Sequence, residues 1–272
     1  MKDSGGDVLV IGGANAVDNG QFSQVTGIGN KLTGKTTASQ YNSITGSKNE
    51  ATNVQHVTVM GSENNVTNTT GTLVLGDKRT LTGADGSIVL GSSASGLTTS
   101  VKNAVAIGTD ANVATEGGVA LGANSVAAIN KGVAGYDPLT GTVSTNTGET
   151  WKSTAAAVSV GDAAKQITRQ ITNVAAGTAD SDAVNVAQLK AVKTAVDTAV
   201  EGSKIHFFSA KGSSSEANYN NDGATGDRAL AVGAGAKAEG LKAIALTGGT
   251  AKGDFSFAVG NGATANGWGA VA

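Results

Sequence analysis

The sequence predicts an all-β fold in which short parallel strands stack into a roll, interrupted once by an α-helix. Three observations lead to this prediction. Short apolar segments that end in Gly, here called pulses, recur about every 15 residues. The 272 residues include 40 Gly and one Pro. One stretch of twenty residues contains neither Gly nor Pro. Such a Gly content without three-residue spacing argues against collagen, and regular apolar pulses argue against disorder. Repeats of this kind gain stability by stacking coils.

The pulses set the predicted coil length. A coil of about 15 residues accommodates two strands of about five residues and two tight turns. Alternation within the pulses, as in Leu73 and Leu75 or Val105 and Ile107, puts two apolar side chains on one face of a strand. Anchored on an apolar residue just before each Gly, the pulses fall at Val10, Val25, Ile44, Val59, Leu75, Leu90, Ile107 and Leu121, in steps of 15, 19, 15, 16, 15, 17 and 14 residues.

A polar position follows most anchors by five residues. Stacked coils would align these side chains into a ladder at a turn, where Asn tolerates left-handed backbone and bonds local N–H groups. The predicted members are Asn15, Asn30, Asn49, Asn64 and Asn112, with Thr80 and Ser95 as substitutes.

The period breaks between residues 123 and 158, in a segment that holds the only Pro of the chain. Asp137-Pro138 followed by Thr140-Gly141 is a paired turn signal, so we expect a hairpin here. We interpret Trp151 as a packing residue rather than a ligand platform.

A helix is expected after the turn-rich stretch AAGTADSD. Ser181 or Asp182 would cap its N-terminus, where acidic side chains suit the helix dipole. Apolar residues then recur at three-four spacing, as in a coiled-coil seam, at Leu189, Val192, Val196 and Ala199 or Val200. No other amphipathic helix in the sequence matches this seam, so we expect it to meet copies of itself.

The stretch RQITNVAAGTADSDAVNVAQL, residues 169–189, resembles the neck of the trimeric autotransporter adhesins, the YadA-like surface proteins of Gram-negative bacteria. The resemblance implies a homotrimer of left-handed parallel β-roll heads, with about 14–15 residues per coil, joined by a neck and a short trimeric coiled coil. The implied domains are a head (1–125), a hairpin-like insertion (126–158), a neck (159–188), a coiled-coil stalk (182–204) and the start of a second head (205–272).

The same resemblance implies which residues form the trimer interface of the neck and stalk. Asn185 and Gln188 could point inward and fix the register, or cap the helix start or bond the neck of a neighbouring chain; we favour the second role. The expected interface residues are Arg169, Ile171, Val174, Asp182, Val184, Asn185, Gln188, Leu189, Val192 and Val196.

Motifs for chemistry are weak. Gly29 to Thr36 matches a phosphate-loop pattern but runs into the next roll strand rather than into a helix, so we interpret it as a turn. His56 and His206 lack metal-ligand neighbours at suitable spacing. The 19 basic and 21 acidic residues are spread along the chain, which argues against nucleic acid. We expect no catalytic residue, cofactor or metal, and no enzymatic activity.

The resemblance therefore implies a bacterial surface adhesin that attaches to host matrix proteins, cell-surface receptors or neighbouring bacteria. It also implies an outer-membrane anchor in a C-terminal region absent from this sequence, and no membrane contact within it. One alternative is a structural spacer of a fibre. A polysaccharide-acting solenoid enzyme would need clustered carboxylates, whereas Asp77, Asp85 and Asp110 are scattered. An ice-binding solenoid would need Thr-x-Thr at one phase, which Thr36, Thr37, Thr98 and Thr99 do not give.

Overall fold

A computed structural model describes residues 1–202 and 211–272, which form two compact units, Met1–Asn185 and Val186–Ala272. The apolar strand that the sequence suggests at IHFFSA, residues 205–210, lies outside the described residues. Each unit contains its own stack of short parallel strands.

Short strands make up the first unit, and two of them belong to most coils. In chain order they are β1 (Val8–Ile11), β2 (Ala16–Asp18), β3 (Gly20–Gln21), β4 (Ser23–Ile28), β5 (Lys31–Thr33), β6 (Ser39–Gln40), β7 (Ser43–Ser47), β8 (Glu50–Thr52), β9 (Thr58–Ser62), β10 (Asn65–Thr67), β11 (Leu73–Leu75), β12 (Arg79–Thr82), β13 (Ile88–Leu90), β14 (Leu97–Thr99), β15 (Val105–Ile107), β16 (Asn112–Val113), β17 (Val119–Leu121), β18 (Val126–Ala127), β19 (Tyr136–Asp137), β20 (Thr142–Val143) and β21 (Val158–Ser159).

These strands build two main sheets. The first sheet has nine strands in the order β1-β4-β7-β9-β11-β13-β15-β17-β21, and the second has six in the order β14-β12-β10-β8-β5-β2. Neighbouring strands within both sheets are parallel, as they must be when successive coils turn in the same sense. The stacked parallel roll predicted from the repeat is confirmed.

The core lies between the two sheets, on the middle residue of each apolar pulse. One in-register column of the first sheet is fully buried: Val25, Ile44, Val59, Val74, Val89, Ala106 and Ala120. The anchors Leu75, Leu90, Ile107 and Leu121 are not core positions, because each follows the buried residue by one. Counted on the buried column, the step after Val59 is 15 residues rather than 16.

The buried side chains become smaller along the roll. Val, Leu and Ile fill the early coils, as at Leu32 and Ile44, whereas the last coils bury Ala106, Ala111 and Ala120. Alanine cores bring the two sheets closer together, which suits the shorter coils at the end of the repeat.

Glycine at the corner after each first-sheet strand lets neighbouring coils approach. At Gly61 the backbone has φ 142°, and a Cβ would lie 2.0 Å from the carbonyl oxygen of Gly76. No side chain fits there, because real Cβ contacts do not fall below about 3 Å. This close stacking explains why the pulses end in Gly.

An asparagine ladder runs beside these glycines, as predicted for its first four members. The Asn49 side chain accepts from the backbone N–H and the Nδ2 of Asn64, at 3.1 and 2.9 Å. It also donates to Asn30 Oδ1 at 2.9 Å and to Gly61 O at 2.7 Å. The ladder thus satisfies buried polar groups of both the turn and the glycine corner. Asn15 begins the ladder by accepting from Asn30.

The predicted continuation of the ladder is wrong. Arg79, not Thr80, follows Asn64, because the Arg79 backbone N–H donates to Asn64 Oδ1 at 2.9 Å. Thr80 pairs with Asn65, one position outward. Asn112 lies in the outward row beside Val113, and Ser95 is exposed. The predicted positions are one residue too far along the chain because the anchors Leu75, Leu90 and Ile107 each follow the buried column by one residue.

Arg79 carries a guanidinium group in the core. The residue is fully buried, and its Nη2 donates to Ala111 O at 2.8 Å, across the coil that contains β14. Nε and Nη1 find no partner among the described residues. The second sheet is interrupted here, since β16 pairs with β18 and not with β14. Burial lowers the pKa of Arg79, and the charge of Asp110 partly opposes that shift.

Four other threonines of the second sheet share one phase. In the neighbouring strands β5, β8, β10 and β12, the threonines that lie opposite one another are Thr33, Thr52, Thr67 and Thr82. Two residues earlier the same strands carry Lys31, Glu50, Asn65 and Thr80. Only the last of these coils has Thr-x-Thr, so the second sheet does not present the flat face that an ice-binding solenoid needs.

The segment between residues 123 and 158, here called the excursion, contains the predicted hairpin. β19 pairs antiparallel with β20, and Asp137 caps the turn by accepting from the Leu139 N–H at 2.9 Å. Leu139 at its tip is 92% exposed. The base is closed by an antiparallel bridge between Ala134 and Lys152, next to the half-buried Trp151.

The second unit begins with the helix α1 (Val186–Gly202). The helix begins four residues after Asp182, so the predicted caps Ser181 and Asp182 are wrong. The Asp182 carboxylate instead accepts from the backbone N–H groups of Thr178 and Ala179, at 2.8 and 2.9 Å. A side chain engaged in its own turn competes with capping. Asn185 occupies the position before the helix, which favours Asn.

A second roll follows, with an all-alanine core. Its strands are β22 (Leu230–Val232), β23 (Lys237–Ala238), β24 (Ile244–Leu246), β25 (Thr250–Ala251), β26 (Phe257–Val259) and β27 (Thr264–Ala265). They form two three-stranded parallel sheets around Ala236, Ala238, Ala243, Ala245, Ala251, Ala258 and Ala265. The same roll architecture thus occurs in both units.

Candidate self-association surface

The outward side of the first sheet is apolar over its later coils. Two columns flank the buried one and point away from the core. One contains Leu73, Ile88, Val105, Val119 and Val158, and the other Met60, Leu75, Leu90, Ile107 and Leu121. We call these ten residues the outer apolar face. Ile88, Ile107 and Leu121 are 37–39% exposed. A contiguous apolar patch of this kind marks a surface that another molecule covers.

The earlier coils share this character only in part. Leu9 and Ile11 of β1 lie in the same two outward columns and are about half exposed, but the next two strands carry polar residues there: Gln24, Thr26, Ser43 and Thr45. The continuous apolar part of the sheet therefore lies in the later coils, toward the end of the roll that leads to the neck.

The second roll repeats the pattern. Leu230, Ile244 and Phe257 form one outward column, and Val232, Leu246 and Val259 form the other. The anchors Val232, Leu246 and Val259 are thus outward residues, and the alanine before each is the core residue.

The sequence held a signal for this face. Strands such as VAI, VAL and IAL are apolar at all three positions, which is typical of strands covered on both sides. The prediction of alternation paired the outer two residues correctly but did not use the small apolar residue between them.

Arg169, the first predicted neck residue, lies against the end of its own roll. Its guanidinium donates to Ala123 O at 2.7 Å, to Ser125 Oγ at 3.0 Å and to Val160 O. It covers Gly122, where a Cβ would lie 3.0 Å from Arg169 Cζ. The open end of the solenoid is therefore closed by a charged side chain bonded to backbone carbonyls.

A groove of about 690 Å³ adjoins this cap. Apolar residues of the last coil and of the excursion line most of it, including Ile129, Val158, Val160 and Ile167. The chain then continues into the neck, where Ile171 is 73% exposed and Val184 is also exposed.

The rest of the neck is held by local polar contacts. Hydrogen bonds from the backbone N–H groups of Ala179 and Thr178 lower the pKa of Asp182. Asn185 Nδ2 donates to Val174 O at 3.2 Å, which ties the two ends of the neck loop together. This contact lies within one chain, so the roles expected of Asn185 stay predictions.

The helix presents its predicted seam to solvent. Leu189, Val192, Val196 and Val200 are all more than half exposed, and no residue of the helix is buried. Helices in proteins gain most of their stability by packing an amphipathic face, so an exposed seam of this kind favours a partner. Among the described residues, apolar side chains are thus exposed on the first sheet, in the neck and along the helix.

The phosphate-loop pattern found in the sequence has a structural role. In the phosphate-loop pattern, the backbone N–H groups of Lys35 and Thr36 donate to Asn53 Oδ1, at 2.7 and 3.2 Å. The pattern is therefore a turn of the roll, as expected. In the described parts of the chain, no cluster of His, Cys, Asp or Glu could hold a metal ion, and no helix is both long and apolar enough to cross a membrane.

Comparison with known proteins identifies both architectures. A family model described as the coiled stalk of trimeric autotransporter adhesin matches residues 170–211, and one for the YadA head domain repeat matches residues 102–125, 224–246 and 251–272.

Two curated relatives agree with these matches. The chain is 55% identical over 75 residues, 28% of its length, to the autotransporter adhesin BadA of Bartonella henselae. It is 67% identical over 46 residues, 17% of its length, to the trimeric autotransporter adhesin AtaA of Acinetobacter sp. (strain Tol 5). The alignments span 2% and 1% of those proteins.

Proposed function

Because the chain carries the head and stalk segments of the YadA-like trimeric autotransporter adhesins, and so belongs to that family, we propose that it forms a homotrimeric, non-enzymatic part of a bacterial surface fibre. Its β-roll head attaches the cell to host matrix proteins, to cell-surface receptors or to other bacteria. The observation that carries the proposal is the coincidence of an outer apolar face and an exposed helical seam in one chain.

Burial of both surfaces by copies of the chain would stabilise the proposed trimer. Half-exposed side chains such as Ile107 and Leu121 would each remove further apolar area from water, at about 25 cal/mol per Å². The helix would gain a knobs-into-holes core through Leu189, Val192 and Val196. Of the predicted neck residues, Ile171, Val174 and Val184 would supply apolar contact. Asp182 and Asn185 hold the loop that presents them, and Arg169 fixes the chain at the end of the roll.

Sedimentation of the purified chain tests self-association. We expect a species of about three times the 26.5 kDa of one chain. Leu189→Asp should weaken it by placing a charge in the seam, whereas Thr194→Asp, on the opposite side of the helix, should leave it intact. A stable single chain for the unaltered protein contradicts the proposal.

Adhesion needs a separate test. The trimer should bind at least one member of a panel of immobilised matrix proteins or bacterial cells, and Leu189→Asp should bind less strongly because three linked heads bind with avidity. A trimer that binds none of them favours a spacer of the fibre.

A further inference from the structure

A column of corner residues precedes the strands of the first sheet. Each lies three positions before the buried column. From Tyr41 onward each donates its backbone N–H to the coil before it, as from Tyr41 to Gln21 O and from Gly71 to Gln55 O. All have φ between 47° and 71°. The corner positions are Phe22, Tyr41, His56, Gly71, Gly86, Asn103 and Gly117.

Three of these positions carry rings instead of the expected Gly or Asn. The rings of Phe22 and Tyr41 stack with centroids 5.2 Å apart, and those of Tyr41 and His56 with centroids 4.9 Å apart. Left-handed backbone strains a bulky residue, and strain of this kind concentrates at functional sites. All three residues are exposed, so the rings do not fill the core.

The stack stops with space beyond its last ring. Among the described residues, no atom lies within 4 Å of where a Cβ on Gly71 would be. One coil further, a Cβ on Gly86 would lie 2.7 Å from Asn103 Oδ1, so the Asn103 carboxamide leans over that coil. The space at Gly71 is therefore bounded by the His56 imidazole on one side and by a planar amide on the other.

The second roll shows what fills the equivalent space. There Phe255 is a corner residue with φ 56°, and the next corner is Gly269. The indole of Trp268, the residue before that glycine, covers the Phe255 ring with centroids 5.7 Å apart. In the first roll the residue before Gly71 is Thr70, which has no ring, and the corresponding space is open.

Polar groups beside the space determine which kind of ring it would bind. Asp85, next to Gly86, accepts from the Thr70 backbone N–H at 3.0 Å and pairs with Lys102 at 2.9 Å. Its carboxylate remains partly exposed and can accept another hydrogen bond. A ring that carries an N–H or O–H donor suits this edge better than a benzyl ring.

We propose that the space at Gly71 is a binding site for one aromatic side chain of a partner polypeptide, an indole or a phenol, which stacks on His56 and donates to Asp85. Stacking on His56 continues a column whose spacing the roll already fixes. The site names a class of ligand, an aromatic side chain, for the proposed adhesive head, and it therefore rests on the proposed function.

Histidine provides the reporter, because the chain holds only two, His56 and His206. The full chain, labelled in its histidine rings, is titrated with N-acetyl-L-tryptophanamide and followed by NMR, with His56→Ala to assign the signals. We expect a saturable upfield ring-current shift of the His56 protons. N-acetyl-L-phenylalaninamide should produce a weaker shift, and N-acetyl-L-leucinamide should produce none.

Two matched variants make the test specific. Gly71→Tyr supplies the missing ring and should abolish the shift, whereas Gly117→Tyr, at a corner with similar φ and open space but no ring beside it, should leave it unchanged. Absence of a shift in the unaltered chain, or its persistence in Gly71→Tyr, would overturn the proposal.

Sedimentation of the same variants separates this proposal from the trimer. If Gly71→Tyr dissociates the assembly while Gly117→Tyr does not, a second copy of the chain covers the space, and the site for a partner is refuted. If the unaltered chain is monomeric yet still shows the shift, the proposed trimer fails and the ring site stands.

Discussion

Asn49→Ala removes one member of the asparagine ladder and tests what holds the coils in register. Asn49 is buried, and its side chain makes four short hydrogen bonds, two to Asn64, one to Asn30 and one to Gly61 O. The substitution leaves three groups without a partner: the backbone N–H of Asn64, an N–H of its side chain, and Gly61 O. At about 1–3 kcal/mol for each of these three buried unsatisfied groups, the free energy of unfolding should fall by about 3–9 kcal/mol.

Denaturant unfolding followed by circular dichroism measures this loss, at one protein concentration because association shifts apparent stability. Asn65→Ala is the matched control, since the neighbouring Asn65 side chain is exposed and bonds only to Thr67 Oγ1. It should cost less than about 1 kcal/mol. If Asn49→Ala costs no more than Asn65→Ala, the ladder does not stabilise the roll and the reasoning is refuted.

Three further predictions follow from single residues. Gly61→Ala should destabilise the roll by about 3 kcal/mol or more, because the new Cβ meets the next coil, whereas Gly83→Ala, where a Cβ meets no described atom, should cost only about 1 kcal/mol; equal losses in denaturant unfolding would contradict the close-stacking argument. Arg79→Met should raise the free energy of unfolding by about 1–2 kcal/mol, since it removes buried N–H groups that lack partners; a loss of that size would show that the guanidinium is fully satisfied. The depressed pKa of Asp182 means that its turn is stabilised above the unfolded value near 4 and loses this stabilisation as pH falls through the folded value. The protection factor of the Ala179 amide, which corrects exchange for its intrinsic rate at each pH, should therefore fall in acid in the unaltered chain but not in Asp182→Asn. A protection factor that does not change with pH in the unaltered chain would contradict this.

The period of the pulses was sufficient to predict a stacked parallel roll. Backbone sterics require Gly where coils approach, as at Gly61, and a buried amide ladder requires Asn, so both leave regular marks in the sequence. Sequence spacing did not show which face of each strand is buried, because strands such as Val105–Ile107 are apolar on both sides. Period alone cannot tell a core column from a column that faces another molecule.

Other features depended on contacts that sequence spacing does not encode. The helix begins at Val186 rather than near Asp182, because that carboxylate bonds Thr178 and Ala179 first. Arg79 takes the ladder position after Asn64, and its guanidinium reaches Ala111 O across the coil that contains β14. The ring column was missed for a similar reason, since Phe22, Tyr41 and His56 are 19 and 15 residues apart and align only when the coils are stacked.

Covalent footprinting of apolar side chains in solution tests directly whether copies of the chain cover the outer apolar face. Leu139, at the hairpin tip, is 92% exposed and provides the internal reference for full labelling. We predict that Ile88, Ile107 and Leu121 are labelled far less than their exposure in a single chain requires, and that Leu189→Asp increases their labelling. Labelling of these residues in proportion to their single-chain exposure would contradict the account.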